Sequence, residues 1–572
     1  MGANTVSPRR GAPGVLTWAT RRTRALLPRS RDLRAMRRNP RRDLVAGVTV
    51  GVVALPLALG FGISSGLGAA AGLVTAIIAG ALAAVFGGSH LQVSGPTGAM
   101  TVVLIPIVAQ HGSDGVLVVG FLAGVMLVAM AAAGWGKYIR FVPLPVIEGF
   151  TLGIAIIIGL QQVPGALGVE GHGERILGVT WDAVATWATA PQWWPMVLAA
   201  GVATLMLAVG RWRPAIPGSL LAVVLATLVA EALDLPVARI GELPSGLPAP
   251  SLPQIPWADL HALLLPALAV AALAALESLL SATVSDAMSV SERHDPDREL
   301  FGQGIANLAS PLFGGIPATA AIARTAVNVR SGASSRLAAL THAVFLLVVV
   351  LVLSRVVGLI PLAALAGVLI GTAIRMVEGA AVRALLRSSR SDALVLVVTA
   401  IATVALDLVT AVVLGIVAAG GLALRKMAQA TTLEQVPLMA GDHTDEERDL
   451  LDHHIVAYRL DGPLFFGGAH QALLELTSLA DVKVVILRMS RVATLDATGA
   501  AVLRDTITTL ENRGITVMLS GVPDRHSPVL DALGVYDSLA HERHLFETTP
   551  QAITHARVHA ARTPHSAAVA GS

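Results

Sequence analysis

Cysteine is absent from this chain, which removes disulfides, thiolate metal sites and cysteine nucleophiles from consideration. Charge is scarce too: Asp, Glu, Lys and Arg make up 14% of the residues against 54% hydrophobic, too apolar for a protein soluble along its whole length. No nucleotide-binding loop and no catalytic-triad pattern stands out, so neither ATP-driven transport nor an enzyme is supported. Histidine and carboxylate spacing gives no metal site: His90 and His342 stand apart, and Glu292-Arg293-His294-Asp295 is charge-balanced and loop-like. A signal peptide is not expected, because residues 1–40 lack an apolar core and are crowded with Arg. So basic a start is expected to stay in the cytoplasm. The net charge of +3 is concentrated beside apolar segments and implies no nucleic-acid partner.

What the chain does have is apolar runs. Residues 44–62, 66–86, 116–133, 196–209, 261–283, 338–353 and 392–406 approach or reach the length that crosses a hydrocarbon core. Counted from a cytoplasmic start, about fourteen spans are expected, which leaves both termini inside. Under that count Lys137 and Arg140, Arg211 and Arg213, Arg330 and Arg336, Arg375 to Arg390, and Arg425 with Lys426 all fall on the cytoplasmic side. The connections 164–194 and 235–258 fall outside. The expected organisation is a basic segment 1–40, a membrane domain 41–426, an acidic linker 427–453, a soluble α/β domain 454–550 and a disordered tail 551–572. In the α/β domain "IVAYRL", "VKVVILRM" and "ITVMLS" read as strands, and 468–480, 498–512 and 525–534 as helices.

Two stretches interrupt the apolar pattern. "VSGPTGAMTVVLIPIV" (93–108) and "GGIPATAAIART" (314–325) each place Gly and Pro inside what would be a span. Pro56 precedes Pro96 by the same interval as Glu277 precedes Pro317, which makes the two stretches equivalent members of two repeats. With an odd number of spans per repeat, the repeats are inverted in the membrane. Paired, interrupted segments at matching places point to a transporter's binding site. A helix that begins at mid-membrane offers unpaired N–H groups and a partial positive charge. Pro suits such a start, since it lacks a donor the first turn would leave unused. Two such starts, with the hydroxyls of Thr97, Thr101 and Thr319, would form an anion cradle over 97–108 and 318–329. The alternative is a pair of ordinary Pro-kinked spans.

Charges inside the spans carry the second signal. Glu277 stands in "ALAALESLLSATVSDAMS" (271–288), with Ser278 beside it and Ser281 four residues on, on the same helix face. A carboxylate at that depth is costly unless it is protonated, paired or bound to a cation. It suits either an Na⁺ ligand, together with hydroxyl oxygens, or a proton carrier. Arg324 is expected about a turn and a half into the second half-helix, where it would add fixed positive charge. A permanent Glu277–Arg324 pair is the other option.

The stretches "RRDLVAGVTVGVVALPLALGFGISSG" (41–66), "VSGPTGAMT" and "SERHDPDRELFGQGIANLASPLFGGIPATAAIARTAVNVRSGA" (291–333) resemble the sulfate permease (solute carrier 26) family of anion transporters. The resemblance runs from about residue 40 to 550. It implies an α-helical polytopic fold built as a seven-plus-seven inverted repeat, with a core domain moving against a gate domain, and a homodimer. It also implies that the cytoplasmic α/β part is a STAS domain. Many sulfate-type members carry Gln after the first-span Pro; here Leu57 follows Pro56. The "LPLAL" stretch and the "RHDP…REL" loop are closer to the cyanobacterial Na⁺-dependent bicarbonate transporters. Their acidic Na⁺ ligand and its hydroxyl partner one turn later match Glu277 and Ser281, with Glu and Ser in place of Asp and Thr, which keeps H⁺ coupling open. "LDATGAAVLRDTITTLENRG" (495–514) resembles the loop-helix that is phosphorylated in STAS-type antagonists, with Thr498 at the phosphoacceptor position and Asp496 as a helix cap.

The expectation is thus a secondary active anion transporter of the bacterial inner membrane, not an enzyme. Bicarbonate symport with Na⁺ or H⁺ is the first reading, with sulfate or a dicarboxylate as alternatives; a channel-like conductor and an ion-regulated scaffold are rivals from other classes. The expected anion site comprises Thr97, Gly98, Ala318, Thr319, Ala320 and Arg324. The expected coupling-ion site comprises Glu277, Ser281 and Thr319, a metal site in the case of Na⁺ alone. No cofactor beyond that ion is expected. The partners are an inorganic anion, the bilayer, a second copy of the chain and a regulatory ligand of the STAS domain.

Overall fold

A computed structural model describes residues 26–173, 175–213, 216–253, 260–289, 293–406, 408–429, 432–435, 454–465, 473, 482–541 and 544–562. The chain parts into two compact units between Ile416 and Val417. In the first, helices α1 (Ser30–Met36), α2 (Pro40–Ser64) and α3 (Ala69–Phe86) lead to a two-residue strand β1 (Ser94–Gly95) and then to α4 (Gly98–Ala133). There follow α5 (Leu144–Gln161), α6 (Val163–Leu167), α7 (Ile176–Thr189), α8 (Trp193–Trp212) and α9 (Gly218–Ala232). The second half runs through α10 (Leu260–Met288), α11 (Pro296–Ala309), β2 (Thr319–Ala320), α12 (Ile322–Arg330) and α13 (Leu337–Gly358). It continues with α14 (Leu362–Met376), α15 (Gly379–Ser388) and α16 (Arg390–Ala405), and the division between the units falls within α17 (Leu408–Gln429).

Nine helices among the described residues are long and apolar enough to cross a membrane. Counting by length falls short of the expected fourteen because some segments are short: α12 has 9 residues, α9 has 15 and α16 has 16. The 36-residue α4 is two helices joined at Gly112, whose φ of 67° and ψ of −169° lie outside the helical region. The connection 164–194 contains the helix α7. Outer faces are apolar as well. On α13, Val344, Val348, Leu351 and Val352 are exposed while Ala339, His342, Leu346 and Val349 are buried, a distribution made for lipid rather than water.

The basic N-terminal segment is docked in part. Asp32 on α1 is 3% exposed and accepts a 2.6 Å hydrogen bond from Arg298 Nη2. Burial pushes its carboxyl up, but Arg298, the Arg29 backbone N–H and nearby Arg336 outweigh that and hold it at about 2.

The second unit is a five-stranded sheet in the order β3 (Thr432–Gln435), β4 (Ile455–Leu464), β5 (Val484–Leu495), β6 (Thr516–Ser520) and β7 (Leu545–Phe546). β3 runs antiparallel to β4; the other pairs are parallel. The three expected strands are present, and β5 shows why its apolar run is unbroken. Val485, Leu487 and Met489 pack toward α18 (Ala497–Asn512) and α19 (Ser527–Ala532), whereas Val484 and Ile486 pack toward α20 (Thr549–Arg562). Both faces are covered, as parallel sheets require.

Two boundaries are corrected. Residues 432–435, assigned to the linker, form an edge strand, because backbone pairing with β4 needs no apolar run. Residues 551–562, expected as disordered tail, belong to α20, where Ala552, Ile553, Ala556 and Ala560 share one buried face. The expected helix 468–480 and the rest of the linker lie largely outside the described residues. Thr498 is exposed in the first turn of α18, and Asp496 caps that turn by accepting from Gly499 N–H at 2.7 Å.

Candidate anion site

The two interrupted stretches meet. β1 and β2 pair antiparallel, Ser94 opposite Ala320 and Gly95 opposite Thr319, and all four residues are buried. Irregular backbone at this depth must satisfy its polar groups within protein. Val93 C=O accepts from Ala321 N–H at 3.0 Å, and Thr325 Oγ1 accepts from Val93 N–H at 3.1 Å. Pro96 then ends the extended lead, and α4 starts at Gly98. Thr97 is its N-cap, accepting from Met100 N–H at 3.4 Å.

The second helix starts later than expected. Residues 315–318 are neither helix nor strand and lead into β2: Gly314, at φ 72°, turns the chain, and Ile316 N–H donates to Thr75 Oγ1 at 2.7 Å. α12 begins at Ile322, so Pro317 is not its first residue and Pro96 lies outside α4. Arg324 is consequently in the first turn of α12, not a turn and a half along it. The reason is the β1–β2 pairing, which holds Thr319 and Ala320 in extended form.

This start reassigns the backbone donors. Ala318 N–H bonds Asn307 Oδ1 at 2.8 Å, and Ala320 N–H bonds Ser278 Oγ at 3.2 Å, so neither faces an anion. The first-turn N–H groups of Gly98 and Ala99 on α4, and of Ile322 and Ala323 on α12, have no intrahelical acceptor. Each helix start adds about half a positive charge.

Glu277 and Arg324 meet the crossing from different sides. Thr97 Oγ1 donates to Glu277 Oε2 at 2.9 Å, and Thr319 and Arg324 also act on the Glu277 carboxylate. Arg324, 1% exposed, donates through Nη2 to Pro96 C=O at 2.5 Å, and its Nη1 has no partner. The two charges therefore have separate hydrogen-bond partners instead of closing on each other, which argues against a permanent pair. Gly95 lies against this guanidinium: a Cβ there would stand 2.5 Å from Nη1.

Of Ser278 and Ser281 on α10, the structure brings Ser278 to Thr319, with 3.0 Å between hydroxyl oxygens. Ser281, expected to complete the coupling-ion site, donates instead to Thr325 Oγ1 at 3.1 Å. The two positions differ by three residues, and β2 and α12 run past α10 so that Thr319 meets one and Thr325 the other. Glu277, Thr97, Thr319 and Ser278 thus form an oxygen-only group, the chemistry that a hard cation such as Na⁺ prefers and that a proton on Glu277 would equally suit. Sequence reasoning noted Ser278 without weighting it. It missed Gly95, whose only signal is its place beside Pro96.

Comparison with known proteins places these features in a family context. The pattern of the sulfate permease family matches residues 41–399, and that of the STAS domain matches residues 451–552. YvdB of Bacillus subtilis, named as a candidate sulfate transporter, is 36% identical over 88% of this chain and 96% of its own length. The bicarbonate transporter BicA of Synechocystis is 32% identical over 87% of this chain and 91% of its own. Among solved structures, the transmembrane domain of a cyanobacterial bicarbonate transporter BicA aligns at 35% identity with a TM-score of 0.60, covering 67% of this chain and 98% of that one. The murine solute carrier 26 member A9 anion transporter, in its inward-facing state, aligns over 97% of both chains with a TM-score of 0.81 at 17% identity, a likeness of fold.

Proposed function

The chain belongs to the sulfate permease family of membrane anion transporters, and from that premise we propose that it is a cation-coupled bicarbonate symporter working by alternating access. The observation that carries the anion site is the β1–β2 crossing, which aims two helix starts and the unpartnered Arg324 Nη1 at one region. The site residues are Thr97, Gly98 and Ala99 on one side, with Ile322, Ala323 and Arg324 on the other. Glu277, Thr97, Thr319 and Ser278 hold the coupling ion, Na⁺ or H⁺. An anion is attracted to the helix ends and Arg324, while Glu277 opposes it. A cation or proton on Glu277 lifts that opposition, so anion affinity rises with the coupling ion and the coupling ion's affinity rises with the anion.

Bicarbonate rests on the "LPLAL" stretch and on similarity to the BicA transporters. Sulfate is the second reading, supported by similarity to YvdB. We place the protein in the bacterial inner membrane as a homodimer with both termini cytoplasmic, and assign the STAS domain to regulation or dimer stability rather than to substrate passage. The test is uptake of radiolabelled bicarbonate, sulfate and fumarate into proteoliposomes under imposed Na⁺ and H⁺ gradients. Concentrative bicarbonate uptake that needs one of the gradients is expected. Ohmic anion current without cation dependence would establish a channel instead.

A further inference from the structure

One face of α11 touches both halves of the crossing. Asp295, Glu299, Gln303 and Asn307 recur every fourth residue and form a single polar stripe. Glu299, Gln303 and Asn307 are at most 2% exposed. Glu299 Oε2 accepts from Gly88 N–H at 2.8 Å and Ser89 N–H at 3.1 Å, on the lead into β1. Gln303 Nε2 donates to Ser94 Oγ at 2.7 Å and to Glu299 Oε1 at 2.9 Å. Asn307 clasps Ala318 through both ends of its amide, Oδ1 accepting from N–H and Nδ2 donating to C=O, each at 2.8 Å. Thus Gln303 holds the residue paired with Ala320, and Asn307 holds the residue just before Thr319.

α11 is itself fixed at backbone range. A Cβ on Gly124 of α4 would lie 2.7 Å from Leu308 N, and one on Gly302 would lie 2.4 Å from Gly87 atoms. A helix seated so closely against α3 and α4 is a rigid reference for both leads.

We propose that Gln303 and Asn307 are positioning residues of the anion site, which set the separation of the α4 and α12 starts and so which anion fits between them. Neither faces the anion: Gln303 acts through Ser94 and Asn307 through Ala318. Beyond the two β-bridged pairs, the α11 amides add a fixed point on β1 at Ser94 and another just before β2 at Ala318. The inference rests on the anion site proposed above.

The test is the concentration dependence of radiolabelled bicarbonate and sulfate uptake, normalised to inserted protein, in Ser94→Ala, Gln303→Met, Asn307→Ala and Arg324→Gln. Ser94→Ala removes the acceptor without touching α11 and is the variant least able to disturb folding. Ser94→Ala and Gln303→Met should each raise KM by about tenfold and shift the bicarbonate-to-sulfate ratio of kcat/KM, with kcat for the better substrate within about twofold. Their double variant should be no worse than Gln303→Met alone, because Gln303→Met already breaks the bond to Ser94 along with its own bond to Glu299. A purely structural role would lower the inserted yield and leave KM and the ratio unchanged, and that result in Ser94→Ala and Gln303→Met overturns the proposal. Arg324→Gln separates the two failures. If it too has wild-type KM, the anion site is wrong; if it loses uptake while the amide variants keep wild-type KM, the positioning role alone is wrong.

Discussion

The two strands of the crossing are paired residue for residue, yet the halves they belong to are unequal. In the first half α4 opens with a hydroxyl N-cap, Thr97, and α2 passes Pro56 with no charge nearby in sequence. In the second, α12 opens with no side-chain cap, carries Arg324 in its first turn, and is approached by Glu277 on α10. The first half supplies backbone and hydroxyl groups; the second supplies both charges. The two starts thus show geometric symmetry without electrostatic symmetry, and the asymmetry is where we propose that the coupling ion binds.

Removing the fixed positive charge should have the largest effect. Arg324→Gln deletes a buried guanidinium at the crossing and should lower anion kcat/KM by about 100-fold or more, as loss of a charged hydrogen-bond donor does. Proteoliposome uptake at several anion concentrations measures it. Near-normal uptake would mean that the two halves are electrostatically equivalent after all.

Glu277→Gln sharpens the same contrast. If Na⁺ couples, the variant should lose Na⁺-driven accumulation, since the ligand charge is gone. If H⁺ couples, it mimics the protonated carboxyl and should retain anion exchange without pH dependence. Counterflow and gradient-driven uptake in one preparation distinguish these outcomes, and unchanged ion dependence would remove Glu277 from the mechanism.

A subtler change comes from the first half. Gly95→Ala would put a methyl 2.5 Å from Arg324 Nη1 on a backbone whose φ of 153° resists a side chain, so the guanidinium must shift, and anion KM, measured per inserted protein, should rise by about tenfold. Equal KM values for wild type and Gly95→Ala would mean that Arg324 has another position open to it.

The smallest effect is expected far from the crossing, in the STAS unit. His544, 2% exposed, stacks near His541, His555 and His559, with ring centroids 5.2 to 6.0 Å apart. Burial, and then the neighbouring imidazoles, lower its pKa from 6.5 to about 4. The unfolded chain therefore takes up this proton first as pH falls. The contribution is intact above pH 6.5 and is lost as pH falls from 6.5 to about 4. Hydrogen exchange in α20 of the full-length protein should speed up through that window, and His544→Phe should flatten the response. Transport at pH 7 should be unaffected.

Most of the crossing was legible because Gly and Pro inside apolar runs have few physical explanations. Glu277 and Arg324 stood out for the same reason, being charges where charge is costly. Illegible were the residues that act by contact. Ser278 and Ser281 sit a turn apart on one helix, and only the path of β2 and α12 past α10 decides that Thr319 meets the former. Gln303 and Asn307 looked like ordinary amides in a polar segment until α11 was seen to bridge both leads.

Sequence by itself determined the apolar spans, the soluble α/β unit, the two interruptions and the buried charges, since each follows from local composition and period. Tertiary structure decided the start of α12 at Ile322, the partner of each hydroxyl, the edge strand 432–435 and the helical end at 549–562. Those depend on backbone pairing and on faces packed across distant segments, and neither leaves a periodic trace in the residues themselves.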